Sequence, residues 1–273
     1  EPFFLYMPLT TPHTPLAVNK EWQGKSGLNN YADLVMETDA AVGRVLAALE
    51  KSGAADKTLV IFTSDNGCAP YIGVKDLEAK GHFPSGPLRG YKADAWEGGH
   101  RVPFMVRWPG VVKPTTRCDQ LVMQADFMAT FADVLGAKLP AAAGEDSFSL
   151  LPLLRGEEKP IRQHAISHAS SGLASLRQGD WKIIFGTPAP AGAPSSSAIQ
   201  LYDLATDLGE TKNLAAEKPA LVTELTAVME RLVTDGRSTP GAKQANDIPV
   251  NWKRFLEAQD APKKGPAKKA RQQ

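Results

Sequence analysis

Between Asn30 and Gly53 the apolar positions fall at Tyr31, Leu34, Val35, Val42, Val45, Leu46 and Leu49, with Thr38 on the same face. That period of three and four residues predicts an amphipathic helix, with Asn30 as its N-cap and Gly53 just past its end. Leu59-Val60-Ile61-Phe62 follows without polar alternation, which predicts a short strand covered on both faces in an α/β sheet. Phe4-Leu5-Tyr6-Met7 and Pro103–Trp108 read as further strands, the second closed by Pro109-Gly110. Residues 68–95 between them are long and rich in Gly, Pro and Lys, and a loop of that length inside a domain is usually functional.

Downstream the pattern changes. A helix from Asp126 to Leu135 is expected to turn Phe127, Met128, Phe131, Val134 and Leu135 inward. Leu173–Phe185 predicts two strands turning at Gln178-Gly179-Asp180, and Ile199–Asp203 predicts a third beyond a Gly, Pro, Ala and Ser insertion at 186–198. Pro219–Val233 is an amphipathic helix with Leu221, Val222, Leu225, Val228, Met229, Leu232 and Val233 on one face. The organisation is an α/β domain over residues 1–158, a small α+β subdomain with antiparallel sheet and helix over 159–235, and an end over 236–273.

Composition narrows the class. The 273 residues are 42% hydrophobic and 22% charged, enough for one large core and a smaller one. No apolar run approaches the roughly 20 residues that cross a bilayer. Of 31 basic residues, five lie in 262–273 beside no acid, leaving 26 against 30 acidic residues in the rest. That basic end lacks the aromatic residues that stack on bases, so it reads as an extended, solvated, disordered end rather than a nucleic-acid arm. Two cysteines, Cys68 and Cys118, exclude a disulfide scaffold and a cysteine-rich zinc site.

The chemistry concentrates in Thr58–Pro109. Asp65 and Asn66 sit just past a strand's carboxyl end, where α/β sheets bind ligands, and a carboxylate beside an amide oxygen suits a hard cation such as Ca²⁺ or Mg²⁺. The competing reading is a type I′ hairpin turn at Asn66-Gly67. Lys92, in Leu88-Arg89-Gly90-Tyr91-Lys92, offers a positive charge with three donors, suited to a tetrahedral oxyanion. Arg89 and Arg101 are expected to hold loops through a carboxylate or carbonyl, and Gly98-Gly99 to permit close backbone approach. His13, fixed between prolines in Pro12-His13-Thr14-Pro15, adds an imidazole that can pass a proton near neutral pH.

Four segments in this order resemble the sulfatase family of the alkaline phosphatase superfamily: Phe4–Met7 running into Pro12–Leu16, the helix Tyr31–Glu50, Thr63-Ser64-Asp65-Asn66-Gly67, and Leu88–Lys92 through Trp96-Glu97-Gly98-Gly99-His100-Arg101-Val102-Pro103 to Trp108-Pro109-Gly110. The similarity covers most of residues 1–235. It implies part of an alkaline-phosphatase-like sandwich, a central mixed sheet flanked by helices, and hydrolysis of sulfate esters of carbohydrates or aryl alcohols. It implies Asp65 and Asn66 as two Ca²⁺ ligands, Lys92 as a sulfate contact, and His13 as a sulfate contact that protonates the leaving oxygen. It also implies a periplasmic or secreted enzyme.

Members of that family use a formylglycine nucleophile made from C-x-P-x-R or S-x-P-x-R, well upstream of the motifs present here. The chain opens on Glu1 inside an apolar run, and so reads as the carboxyl portion of a longer enzyme, inactive by itself. Ser85-Gly86-Pro87-Leu88-Arg89 matches S-x-P-x-R literally, but Asp94-Ala95 stands where the longer modification signal carries a hydroxyl residue and Gly. Cys68-Ala69-Pro70-Tyr71-Ile72 lacks the arginine, and Cys68 reads as a buried residue behind the metal loop. His82 and His100 match no family position, and His164 and His168 read as ordinary residues of the subdomain. The alternatives are a phosphoric or phosphonic ester hydrolase of the same superfamily, and an inert or binding module.

Overall fold

The computed structural model describes residues 1–187 and 198–257. Two compact units emerge, one from Glu1–Asp119 with Pro152–Glu158 and one from Gln120–Leu151 with Lys159 onward. Elements in the first are helix α1 (Asn30–Ser52), strand β1 (Val60–Thr63), α2 (Val74–Ala79), α3 (Glu97–His100) and β2 (Phe104–Arg107). A helix α4 (Phe127–Val134), a turn α5 (Leu151–Leu154), strands β3 (His164–His168), β4 (Ala174–Gln178), β5 (Trp181–Ile184) and β6 (Gln200–Asp203), then helices α6 (Pro219–Asp235) and α7 (Arg254–Glu257), follow. None of the described helices is long and apolar enough to cross a membrane.

In the first unit α1 ends as expected, with Gly53 in the left-handed region at φ 71. Its N-cap is Asn29, not Asn30: the Asn29 carboxamide oxygen accepts from Ala32 N, and its Nδ2 donates to the Ile72 carbonyl at 3.0 Å. The second bond decides between neighbouring asparagines, because only position 29 reaches the loop after β1. Asn29→Ala therefore loses a cap and a tertiary bond, about 2 kcal/mol together. Asn30→Ala is expected to cost a small fraction of that in the urea midpoint. Asp33, one turn in, accepts from Ser26 N and Gly24 N and ties the preceding loop to the helix. Hydrogen bonds from Ser26, and also from Gly24, outweigh burial and hold its carboxyl below the ordinary range.

The strand expected at Leu59–Phe62 is shifted by one residue, and the two-sided cover is not found. β1 pairs antiparallel with β2, Val60 opposite Arg107 and Thr63 opposite Phe104, and all four of its residues are half-buried. Two strands alone cannot cover both of their faces, and Met105 on β2 is 56% exposed. Phe4–Met7 is also not a strand: it belongs to neither sheet of the described residues, and Phe3, Leu5 and Tyr6 lie open to solvent. The stretch 68–95 is not one loop, since α2 buries Val74 and Leu77 with Ala69 and Ile72 in a small apolar cluster.

The second unit is built on an antiparallel sheet in the order β3-β4-β5-β6. The hairpin turns where expected, with Gln178 opposite Trp181. Ala174, Leu176, Ile183, Phe185 and Leu201 pack against Leu225, Met229 and Leu232 of α6, the face that the 3.6-residue period marks. Of the insertion, residues 188–197 lie outside the described residues. The inward list for α4 needs correction: Thr130 and Ala132 are buried, whereas Met128 is 50% and Leu135 80% exposed. Thr130 serves as a polar joint instead, donating to the Asp126 carbonyl and accepting from Leu150 N.

Residues 236–257 also depart from the extended end expected. Trp252 is in the sheet core, edge-on to Phe185 at 4.7 Å, and Phe255 of α7 is buried. Residues 258–273 lie outside the described residues. Two buried ion pairs complete this unit, Arg162 with Asp126 at 2.6 Å and Lys182 with Glu210 at 2.9 Å. Removing one partner of such a pair leaves an uncompensated buried charge, at a cost of about 3–5 kcal/mol.

Candidate active site

Beyond β1 the chain turns sharply at Ser64, whose hydroxyl donates to the Asn66 carbonyl at 3.0 Å. Neither Asn66 nor Gly67 has positive φ, whereas a type I′ turn needs it at both central residues. The hairpin reading of Asn66-Gly67 is thereby excluded. Asp65 is exposed and Asn66 half-buried, and Asn66 Nδ2 donates to Asp65 Oδ2. That bond uses one carboxylate oxygen and leaves Asp65 Oδ1 and the Asn66 amide oxygen for a ligand. Both are hard donors, so the pair fits a Ca²⁺ site as two of its about six to eight oxygens. Among the described residues no group of three or more His, Cys, Asp or Glu could hold a metal ion.

Glycines explain how this loop is held. Gly67 N donates to the Gly99 carbonyl at 2.9 Å, and a Cβ on Gly67 would occupy the position of the Gly98 carbonyl oxygen. Gly98 N donates to the Arg89 carbonyl at 2.7 Å, and a Cβ on Gly98 would strike the carbonyls of Arg89 and Gly90. The short α3 thus packs backbone to backbone between the Asp65 loop and the Arg89 loop, which only residues without Cβ allow. The close approach expected of Gly98-Gly99 is observed, and Gly67 joins them.

Lys92 belongs to the same junction. Its N–H donates to the Cys68 carbonyl at 2.8 Å, and its side chain is half-buried. Asp94 accepts from Tyr91 N at 2.9 Å and closes the turn, with Ala93 at φ 82. The Tyr91 hydroxyl donates to Glu78 at 2.7 Å, and burial together with that carboxylate pushes the phenol up to about 12. Arg89 Cζ lies over the Trp96 ring, 3.8 Å from its centroid, a cation–π contact. Arg101 faces the buried Glu97 carboxylate at 3.4 Å. Both arginines have loop-holding partners, leaving Lys92 as the basic side chain whose backbone is bonded directly behind the Asp65 loop.

His13 is exposed, its Nδ1 donating to the Thr14 carbonyl at 2.7 Å and its Nε2 facing the Tyr71 hydroxyl at 3.4 Å. Tyr71 stands three residues beyond Cys68, so the segment of His13 meets the loop that continues from Asp65. Local sequence reasoning misses this contact, since no periodicity links positions 13 and 71. Ser85, the literal nucleophile match, donates its hydroxyl to the Gly90 carbonyl at 3.1 Å and lies 3.5 Å from Cys68 Sγ. Burial pushes the Cys68 thiol up, which keeps it protonated.

The remaining histidines have other partners or lie apart. His82 is exposed after α2, and His100 Nε2 contacts the Ala95 carbonyl at 3.1 Å. His164 and His168 start and end β3, which separates them by about 13 Å. That spacing excludes a shared metal. His164 bonds Gln178, and burial pushes its imidazole down.

Residues 1–137 match the Sulfatase family, and residues 92–237 match N-sulphoglucosamine sulphohydrolase, C-terminal. An N-acetylgalactosamine-6-O-sulfatase of Bacteroides thetaiotaomicron is 35% identical over 244 residues, covering 86% of this chain and 48% of that protein. Human arylsulfatase A is 33% identical over 250 residues, covering 85% of this chain and 48% of that protein. A solved structure from work on the metabolism of multiple glycosaminoglycans by Bacteroides thetaiotaomicron superposes with a TM-score of 0.78 at 34% identity, over 85% of this chain and 50% of that one. The chain spans about half the length of these relatives. Its mixed α/β architecture and these matches agree with the class expected from its motifs: the chain belongs to the sulfatase family, with the alkaline-phosphatase-like fold.

Proposed function

We propose that this chain carries the Asp65, Asn66, Lys92 and His13 side of a calcium-dependent sulfuric ester hydrolase for sulfated saccharides, and that its formylglycine nucleophile comes from sequence upstream of residue 1. The observation that carries the reading is the backbone join of two loops, Gly67 N to the Gly99 carbonyl and Lys92 N to the Cys68 carbonyl. A hard-oxygen pair and an ammonium carried on adjoining loops are parts suited to holding an anionic sulfuryl group. The saccharide assignment leans on the name of the Bacteroides relative, an N-acetylgalactosamine-6-O-sulfatase. The upstream nucleophile leans on the half-length match and on a sequence whose only S-x-P-x-R is Ser85–Arg89.

Bound by Asp65 and Asn66, a calcium ion would supply Lewis-acid charge and a template for the sulfate oxygens. Lys92 would donate to a sulfate oxygen as charge redistributes, the kind of contact that is stronger in the transition state than in the ground state. His13 has its Nδ1–H committed to the Thr14 carbonyl. Nε2 is then the nitrogen that holds the mobile proton and delivers it to the leaving oxygen as the S–O bond breaks, so that the alcohol departs neutral.

The test compares residues 1–273 alone with the same residues preceded by their own upstream coding sequence, each given calcium and 6-sulfated N-acetylgalactosamine. The longer enzyme is expected to release sulfate and residues 1–273 alone to release none. Turnover by residues 1–273 that disappears on Ser85→Ala would make Ser85 the nucleophile and overturn the reading. A preference of the longer enzyme for a phosphonate monoester would move the chain to the phosphoric or phosphonic branch.

A further inference from the structure

Tyr71 has no packing reason for its place. The turn that carries it is pinned on both sides: Ala69, Ile72 and Val74 are buried with Leu77, and the Ile72 carbonyl is held by Asn29. The Tyr71 ring itself is 58% exposed, so burial gives it little. Its side-chain contact is with His13, ring centroids 6.4 Å apart and planes at 71°, with the hydroxyl 3.4 Å from Nε2.

The other imidazole nitrogen gives that contact its meaning. A carbonyl can only accept, so the 2.7 Å bond to Thr14 requires a proton on Nδ1 of His13. In the neutral ring Nε2 then carries the lone pair and accepts from the Tyr71 O–H. In the imidazolium Nε2–H donates to the phenol oxygen instead. One hydroxyl can serve both states by rotating, so it holds the ring before and after the transfer and yields Nε2 to the leaving oxygen for the transfer itself.

We propose that Tyr71 is a positioning residue for His13, fixing the exposed imidazole so that Nε2 addresses the leaving oxygen of the substrate. This rests on the reading of His13 as the proton donor. Without the tyrosine the ring keeps its Thr14 bond but turns about its side-chain torsions. The proton transfer should then suffer, while sulfate binding at the Lys92 side should not.

Leaving-group chemistry separates this from a general structural role. An aryl sulfate expels a stabilised phenolate and needs little protonation, whereas a sugar sulfate expels a basic alkoxide and needs a full proton. In the longer enzyme Tyr71→Phe is expected to lower kcat for a sugar sulfate about tenfold, with KM unchanged and an activated aryl sulfate almost unaffected. In residues 1–273, ¹⁵N NMR of His13 should show Nδ1 protonated in both forms, with the Nε2 resonance displaced by Tyr71→Phe as it loses its donor.

An unchanged Nε2 resonance in Tyr71→Phe would overturn the proposal, as would equal losses on sugar and aryl sulfates. His13→Gln tells the two readings apart. If His13→Gln slows sugar sulfates selectively and Tyr71→Phe does not, the positioning role fails while the proton-donor role stands. If His13→Gln is also without selective effect, both fail.

Discussion

Replacing Asp65 by alanine in the longer enzyme should remove calcium and activity together. The carboxylate is the anionic member of the pair, and water can replace its oxygen but not its charge. Its Oδ2 also anchors Asn66 Nδ2, so the substitution frees the amide that the second ligand must aim. Losing Lewis-acid stabilisation of several kcal/mol corresponds to a fall on the order of 10³-fold in kcat/KM. Elemental analysis should show calcium content dropping in parallel, with partial rescue of both at high calcium. A variant with wild-type calcium content would remove Asp65 from the metal site.

Lys92→Ala and Arg89→Ala should separate chemistry from architecture. Removing one donor to a developing oxyanion costs about 10²-fold or more in the chemical step. Lys92 keeps its backbone bond to Cys68 whatever its side chain, so the melting temperature of Lys92→Ala should barely move. Arg89→Ala loses the guanidinium over the Trp96 ring and should lower the melting temperature, while the folded fraction keeps nearly normal single-turnover chemistry. Normal chemistry in a folded Lys92→Ala enzyme would remove Lys92 from the site.

Features governed by neighbours in sequence were legible before the fold. Gly53 ends α1, the hairpin turns at Gln178-Gly179-Asp180, and the apolar face of α6 is the one that packs. Features decided across space were not. Asn29 and Asn30 are equivalent caps locally, and the distant Ile72 carbonyl selects the first. Six residues of α2 are too few to show a period, and Val74 and Leu77 are buried in a cluster with Ala69 and Ile72 against which Leu28, Tyr31, Cys68 and Tyr91 pack. In α4 the hydrophobic run suggests an inward Leu135, yet the helix stops at Val134 and the joint is made by the hydroxyl of Thr130.

The site divides the same way. Asp65-Asn66, Lys92 and His13 are candidates by residue type and local sequence alone, and the closeness of Gly98-Gly99 follows from the absence of side chains. Which carbonyls those glycines approach depends on how three loops meet, as does the link from His13 to Tyr71 across 58 positions.

The most direct measurement is a crystal structure of the longer enzyme with calcium and inorganic sulfate. Calcium is expected within about 2.3–2.6 Å of oxygens of both Asp65 and Asn66. Sulfate is expected within hydrogen-bonding distance of Lys92 Nζ and His13 Nε2. Calcium bound away from the Asp65-Asn66 pair, or sulfate held without Lys92 and His13, would contradict that arrangement.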